Sequence, residues 1–299
     1  MDTYRGTVFP WETDIVDHLT VAFYFERFAD ATLGVLDGLG LGADYMTVER
    51  RGCVTADCYV RYMHELRVGD ILHISSAVIG VEESGLRLGH RVVNSDTGTL
   101  CATMEQRTIH VGLGGRAPAP LPAAPRRAAE ACRAAWDGPT REARWQPAGT
   151  EGFLDSARDT VKPWEIDVFG QSAFPFYVHR FSAGGIQTFA AFGMTPEYMR
   201  EQRRGMSTFE FQLEFRGELH AGDPVHVKTG LLHLGNSSIR VLHRMFNGRT
   251  GELVASLDQF GVHLDVDARR PTPIPDALRE RARSILIRPP AGSPERSDA

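Results

Sequence analysis

Lysine is nearly missing from this chain: Lys162 and Lys228 are the two in 299 residues. Neither stands in a Gly-Lys-Ser/Thr context, which excludes a phosphate-cradling P-loop. Arginine carries the positive charge instead. The four cysteines, Cys53, Cys58, Cys101 and Cys132, make no CxxC pair. They give no sign of a secreted disulfide framework, so a reduced, cytoplasmic protein is expected. No apolar run approaches the roughly 18 residues of a membrane span. Met1-Asp2-Thr3-Tyr4-Arg5 is not a basic-then-apolar leader, so neither membrane nor signal peptide is expected. A Gly-x-Ser-x-Gly elbow is lacking, which disfavours a serine hydrolase. HxH and HExxH spacings are lacking too, and no metal or redox cofactor is expected. The net charge of -5 and pI near 6.1 argue against nonspecific nucleic-acid binding.

What is present is a duplication. Shifting the sequence by 153 places residues 11–111 on 164–264 without a gap, and thirty of those 101 positions are identical. Among them are Trp11/Trp164, Glu12/Glu165, Asp14/Asp167, Tyr24/Tyr177, Asp70/Asp223, His90/His243 and Gln106/Gln259. The period is far longer than a solenoid repeat, so each copy is a domain-sized half. Boundaries follow at 1–111, a Pro/Ala-rich connection over 112–156, a second half over 157–266 and a tail over 267–299.

Each half reads alike. A short strand (4–9) precedes a helix over 20–39, whose apolar positions cover most sides, with Glu26, Arg27, Asp30 and Asp37 as the polar remainder. Such a helix is buried on more than one face. Gly38, Gly40 and Gly42 end it, and their spacing after a helix is a poor dinucleotide signal. Strands are expected at 54–66, 71–81, 86–93 and 100–111, with Asn94-Ser95-Asp96-Thr97-Gly98 as a hairpin turn. The second half repeats them at 209–219, 225–234, 239–246 and 253–264. One long helix followed by an antiparallel meander is an α+β layer, a curved sheet wrapped on a helix. In the connection, 117–125 should be extended and 126–136 helical. In the tail, 275–287 should be helical and the end from residue 289 frayed.

The candidate chemistry sits just before the helix. Asp14 and His18 are four apart in Trp11-Glu12-Thr13-Asp14-Ile15-Val16-Asp17-His18-Leu19-Thr20. The bland reading is an N-cap, because Asp or Thr before a helix usually satisfies its free N–H groups. His64, unpaired in the second half and next to Glu65, could reach a pocket; a solvated strand end is its plain reading. The pairs His73/His226, His90/His243 and His110/His263 suggest a shared architectural role.

This pattern resembles the hotdog fold, in its 4-hydroxybenzoyl-CoA thioesterase-like branch. That branch carries a sequence close to D-x-D-x-x-G-H-V-N-N-x-x-Y; here Glu12-x-Asp14-x-x-Asp17-His18-Leu19-Thr20-Val21-x-x-Tyr24 stands in its place. Arg61-Tyr62-x-x-Glu65-Leu66-x-Val68-Gly69-Asp70 is similar to the segment after the helix. Asp17 to Tyr24, with residues 38–45, is similar to thioesterases acting on betainyl-CoA. Asp17 replaces the usual Gly, a position of positive φ that Asp tolerates better than most residues, and Thr20 replaces the first Asn. In the second half Asp167 and Gly170 remain, while Gln171, Ala173, Phe174 and Pro175 depart from the pattern.

The resemblance implies two tandem hotdog domains paired within one chain, a double hotdog. It implies hydrolysis of an acyl-CoA or acyl-carrier-protein thioester, with coenzyme A or phosphopantetheine entering as part of the substrate. Asp14 would be general base or nucleophile, His18 would orient the carbonyl or steady the thiolate, and the helix start would hold the oxyanion. Asp167 is the corresponding residue of a second site. Asp17, close to Asp14 in sequence, would raise a neighbouring carboxyl pKa. Asp17, Leu19, Thr20, Tyr24, Tyr62 and His64 would bind the substrate, and Arg50 and Arg51, with Arg203 and Arg204, would meet the phosphates; a solvated charged turn is the plain reading of these arginines. A homodimer of such chains is compatible with this reading. Alternatives are a hydratase/dehydratase, an acyltransferase/decarboxylase with Tyr62 or Tyr24 as acid, or an inactive acyl-thioester binder.

Overall fold

The computed structural model describes residues 1–112 and 115–290. The first half runs β1 (Asp2–Thr7), α1 (Val21–Gly38), α2 (Ala43–Glu49), β2 (Arg51–Tyr62), β3 (Ile71–Glu82), β4 (Gly85–Asn94) and β5 (Leu100–Gly112). The connection holds β6 (Gly115–Pro118) and α3 (Ala123–Ala131). The second half repeats the order as β7 (Leu154–Thr160), α4 (Phe174–Ala191), α5 (Pro196–Glu201), β8 (Arg204–Phe215), β9 (Pro224–Leu234), β10 (Ser238–Asn247) and β11 (Leu253–Asp265). The tail adds β12 (Arg270–Pro271) and α6 (Asp276–Ser284). Among the described residues no helix is long and apolar enough to cross a membrane.

The two half-sheets join edge to edge in the order β1-β3-β4-β5-β2-β8-β11-β10-β9-β7. The join is antiparallel, with Asp57 opposite Glu214 and Arg61 opposite Glu210. Adding 153 converts one of these pairs into the other, so a pseudo-two-fold axis passes through the join, as in an isologous dimer. Helices α1 and α4 pack side by side across the same axis. Glu26 meets His179, its own counterpart, at 3.1 Å, and Phe25 meets Phe174 at 5.8 Å between ring centres. One apolar core, including Phe25, Phe28, Val60, Met104, Phe181, Phe211 and Leu257, spans both halves. The pairing of β2 with β8 closes both sheet edges at the join, which would otherwise invite association with other chains.

The helix expected at 20–39 is found at Val21–Gly38, with Thr20 and Leu39 as its caps. The strand expected at 54–66 instead starts at Arg51 and ends at Tyr62, so residues 63–66 leave the sheet. A short helix, α2, precedes it, and α5 repeats it; neither shows in the apolar pattern because each is under eight residues. In the connection the helix starts three residues earlier than expected, behind Pro122 as its cap and with Pro125 in its first turn, where a missing N–H costs nothing. The frayed end expected from residue 289 falls mostly on 291–299, outside the described residues.

Arg27 corrects the amphipathic reading of α1. It is 4% exposed, not part of a polar face. Its guanidinium donates to Glu12 Oε2 at 2.7 Å, to the Thr7 carbonyl at 2.9 Å and to the Phe23 carbonyl at 3.0 Å. Glu12 also accepts the Phe9 N–H at 2.8 Å. Arg180 and Glu165 repeat the arrangement at 2.5 Å. This pair explains why Glu and Arg recur in both halves: it ties the loop before each helix to the helix itself. Arg27→Met strands a buried carboxylate and is expected to cost about 3–5 kcal/mol in urea denaturation. Adding Glu12→Gln to it should recover part of that loss; a double variant as unstable as the single one contradicts the pairing.

Candidate active site

The loop before α1 is built by backbone bonds. Thr13 and Leu19 form an isolated antiparallel bridge. The Asp14 N–H donates to the His18 carbonyl and the Asp17 N–H to the Asp14 carbonyl, both at 3.1 Å. Asp17 takes φ 62°, as Gly170 takes 77° in the second half. Asp14 Oδ1 accepts the Val16 N–H at 2.9 Å. Asp167 Oδ1 does the same for Phe169 at 2.8 Å. The recurrence of this aspartate is therefore accounted for by the turn it closes in both halves. What the first loop adds is His18, whose Nδ1 lies 3.3 Å from Asp14 Oδ2.

A cavity of about 730 Å³ opens on this loop, within the usual range of small-molecule sites. The first half gives it Asp14, His18, Leu19, Thr20, Tyr24, Tyr62, His64 and Glu65. The second half supplies the opposite wall: Gly185 and Phe189 of α4, Met206 and Thr208 of β8, and Gln259 of β11. Arg269 of the tail reaches over, donating to the Val16 carbonyl at 2.6 Å and pairing with Glu65 at 3.3 Å. The site thus belongs to both halves.

Burial pushes the Asp14 carboxyl above the ordinary aspartate range, against the pull of His18 and of two backbone N–H groups. The sequence expectation gave this effect to Asp17; that is corrected. Asp17, expected to bind substrate, is exposed and is not among the residues lining the cavity, and its role in the structure is the left-handed turn. Asp17→Val should destabilise the fold by about 1–2 kcal/mol, while Asp17→Gly should stay within about 1 kcal/mol of the parent. Equal losses in both, by chemical denaturation, would refute a conformational role. Burial also raises the phenols of Tyr24 and Tyr62, which stack edge to face at 5.1 Å and stay protonated.

Seven of the expected residues, Asp14, His18, Leu19, Thr20, Tyr24, Tyr62 and His64, are brought to one cavity. Asp167 lies on the second loop, apart from it. Arg50 and Arg51 are exposed at the α2–β2 junction, also outside it. The pseudo-two-fold axis is the reason: the β8 start, not the β2 start, approaches the first loop, and a Cβ on Gly205 would collide with Val16. The corresponding Arg203 and Arg204 are paired with Asp267 and Asp265. The arginines lining the cavity are Arg67 and Arg269. Arg269 stands in no motif, and its one sequence signal is its recurrence as Arg116 under the same shift of 153.

The profile of the thioesterase-like superfamily matches residues 8–129 and again 161–282. A betainyl-CoA thioesterase of Pseudomonas aeruginosa is 27% identical over 121 residues, 40% of this chain and 76% of that protein. An L-carnitine dehydrogenase/betainyl-CoA thioesterase of Agrobacterium fabrum is 30% identical over 126 residues, 42% of this chain, and the match spans only 26% of that longer protein. Among solved structures, a 12:0-ACP thioesterase from Umbellularia californica superimposes with a TM-score of 0.68 at 14% identity, over 87% of this chain and 93% of the other. An acyl-ACP thioesterase from Bacteroides thetaiotaomicron gives 0.64 at 14% identity, over 86% and 96%. At such identities the structural likeness speaks for the fold, two tandem hotdog domains.

Proposed function

The chain belongs to the thioesterase-like superfamily, and from that premise we propose that it hydrolyses an acyl-CoA or acyl-carrier-protein thioester at the Asp14–His18 loop. The observation that carries the reading is the 3.3 Å contact of His18 with Asp14 at the foot of α1, facing a cavity walled by both halves. The first-turn N–H groups of a helix have no acceptor within it and carry partial positive charge. Thr20, the cap, and Val21, the first residue of α1, line the cavity; the Thr20 N–H is given to the Glu12 carbonyl at 3.0 Å, so the Val21 N–H is the donor this reading uses. A thioester oxygen placed there gains stabilisation as it becomes an oxyanion.

Asp14 acts as general base in this proposal. Its Oδ1 is held by the Val16 N–H, leaving Oδ2 beside His18. A raised pKa strengthens a base at neutral pH; the ionised form takes a proton from water as the water oxygen bonds to the thioester carbon. The tetrahedral adduct then breaks its C–S bond. The thiolate leaves and is protonated, and the products are a carboxylic acid and a free thiol. Arg67, half-exposed at the rim, is positioned for a phosphate of the incoming coenzyme.

The relatives that share sequence with the chain are named for betainyl-CoA, whose acyl group is cationic. An acyl-CoA panel including betainyl-CoA, together with acyl-carrier proteins, tests the reading by free thiol and product mass. Thiol released with free acid supports it. A product lighter by carbon dioxide with the thioester intact favours decarboxylation. Saturable binding with no turnover favours a binder, and either of these two results overturns hydrolysis.

A further inference from the structure

The duplication supplies an internal control for the cavity wall. In the first half, Thr32 of α1 is 7% exposed and its hydroxyl donates to Gln106 Oε1 at 2.9 Å. Gln106 Nε2 in turn donates to Thr55 Oγ1 at 2.8 Å. In the second half Gln259 repeats this orientation, with Nε2 donating to Thr208 Oγ1 at 2.7 Å. The residue corresponding to Thr32 is Gly185, so no hydroxyl donates to Gln259 Oε1; His243 Nε2 meets that oxygen at 3.1 Å and leaves its second lone pair for another donor. A Cβ on Gly185 would lie 4.0 Å from that oxygen and touch nothing closer than 3.8 Å. The place that the Thr32 Cβ takes in one half is therefore vacant in the other, an opening bounded at 3.8–4.0 Å by Phe189, His243 and Gln259.

That opening faces the cavity. Gly185, Gln259 and Thr208 all line it, and Gln259 is 9% exposed. Ser182, one turn before Gly185 on α4 and replacing Ala29 of the first half, lines it as well. Its hydroxyl is buried without a hydrogen-bond partner among the described residues. A buried unpaired hydroxyl costs free energy unless something meets it. The surrounding wall is uncharged: Ile186, Phe189, Met199, Met206 and Val262. The strand opposite is filled in the mirrored region, where Cys53, Val54 and Ala56 are buried, whereas Met206 to Phe209 remain half-buried on the cavity.

We infer that the acyl group is an uncharged aliphatic chain carrying a hydroxyl, lodged over Gly185 so that its hydroxyl replaces the absent threonine hydroxyl against Gln259 and Ser182. This rests on the hydrolase reading for the reaction, but not for the binding. The ligand donates to Gln259 Oε1, and its oxygen accepts from Ser182 Oγ. The remaining methylenes lie on the apolar wall.

The test uses the full chain and CoA thioesters of equal length, C6 to C10, with and without a hydroxyl at each successive carbon. A hydroxyl at one position should raise kcat/KM over the plain chain by roughly 10²-fold, short of the larger factors seen where a site is built wholly around one hydroxyl. Gly185→Thr, which restores the internal donor, should abolish that preference and lower kcat/KM on the hydroxyacyl substrate at least roughly 10-fold. Ser182→Ala should reduce the preference. Thr32→Gly, the mirrored change, should leave all of these values unchanged. Should the wild type release no thiol from any substrate, binding of the corresponding thioether analogues by calorimetry answers the same question: a hydroxyl-dependent affinity lost in Gly185→Thr sustains the inference while the hydrolase reading falls. Plain chains processed or bound as well as every hydroxylated one, or Gly185→Thr indistinguishable from wild type, overturns it, as does failure of every analogue to bind.

Discussion

Asp14→Asn is expected to lower kcat for thiol release by roughly 10²–10⁴-fold, the contribution of a positioned general base. Asp167→Asn is expected to leave it within about twofold. The comparison is controlled by the duplication, because an asparagine Oδ1 keeps the bond to the N–H two residues on in both loops. Loss in the first and not the second isolates the carboxylate beside His18 from the turn it closes. Equal activity in Asp14→Asn would sink the assignment. The pH profile carries the same sign. The base works ionised and its pKa is raised from 3.8 by burial, so kcat/KM should climb with pH through a midpoint above the ordinary aspartate range. Stability should move the other way. A carboxyl whose folded pKa lies above its unfolded one favours folding below the unfolded value and loses that contribution as pH rises through the folded one. At pH 7 the ionised Asp14 is therefore a burden on the fold, and Asp14→Asn should raise the melting temperature while removing turnover. That opposition is typical of a functional group held in an unfavourable environment. A variant that lost activity and stability together would point to a damaged loop instead.

The parts of this molecule legible in the sequence were those fixed by local pattern. The bounds of α1 followed from an apolar run between Thr20 and three closely spaced glycines, and the duplication fixed the architecture. Asp14 and His18 were legible because four residues on one turn must lie near each other. Arg27 was misread because its exposed alternative fits helical periodicity equally well; only the recurrence of Glu12 with Arg27 as Glu165 with Arg180 carried the signal of a buried pair. The wall opposite Asp14 was illegible. It depends on β2 pairing with β8 across the axis, a contact between residues about 150 apart that no window of sequence contains. The same axis carries Arg50 and Arg51 to the second loop, away from the cavity at the first. Gly185 was visible in the alignment as the loss of Thr32, but its meaning needed the knowledge that α4 faces the first loop.

The second large effect concerns acid stability. His90 and His243 are both 0% exposed, one in each half. His90 Nδ1 contacts Ser76 Oγ at 2.7 Å, and His243 Nδ1 contacts Thr229 Oγ1 at 2.7 Å. His243 Nε2 meets Gln259 Oε1 at 3.1 Å, which fits a neutral ring donating from Nε2. Desolvation lowers both from 6.5 to about 4, with the glutamines Gln106 and Gln259 opposing it. A histidine whose folded pKa is depressed stabilises the fold above its unfolded pKa. As pH falls from 6.5 towards 4 the unfolded chain takes up a proton that the folded chain refuses, and that stability drains away. Each ring is worth at most about 3 kcal/mol over this window, so the pair could remove ~6 kcal/mol, a large share of a typical folding free energy. Urea midpoints measured from pH 7.5 to 4 should therefore fall steeply below pH 6.5. In His90→Gln/His243→Gln the curve should be flatter over the same interval, even where the double variant starts less stable at pH 7.5, because the core positions no longer titrate. Parallel curves for the two proteins would assign the acid limb to other groups. Asp159 and Glu210 would then share it, since cationic partners hold both carboxyls below their usual range and their contribution is lost as pH falls.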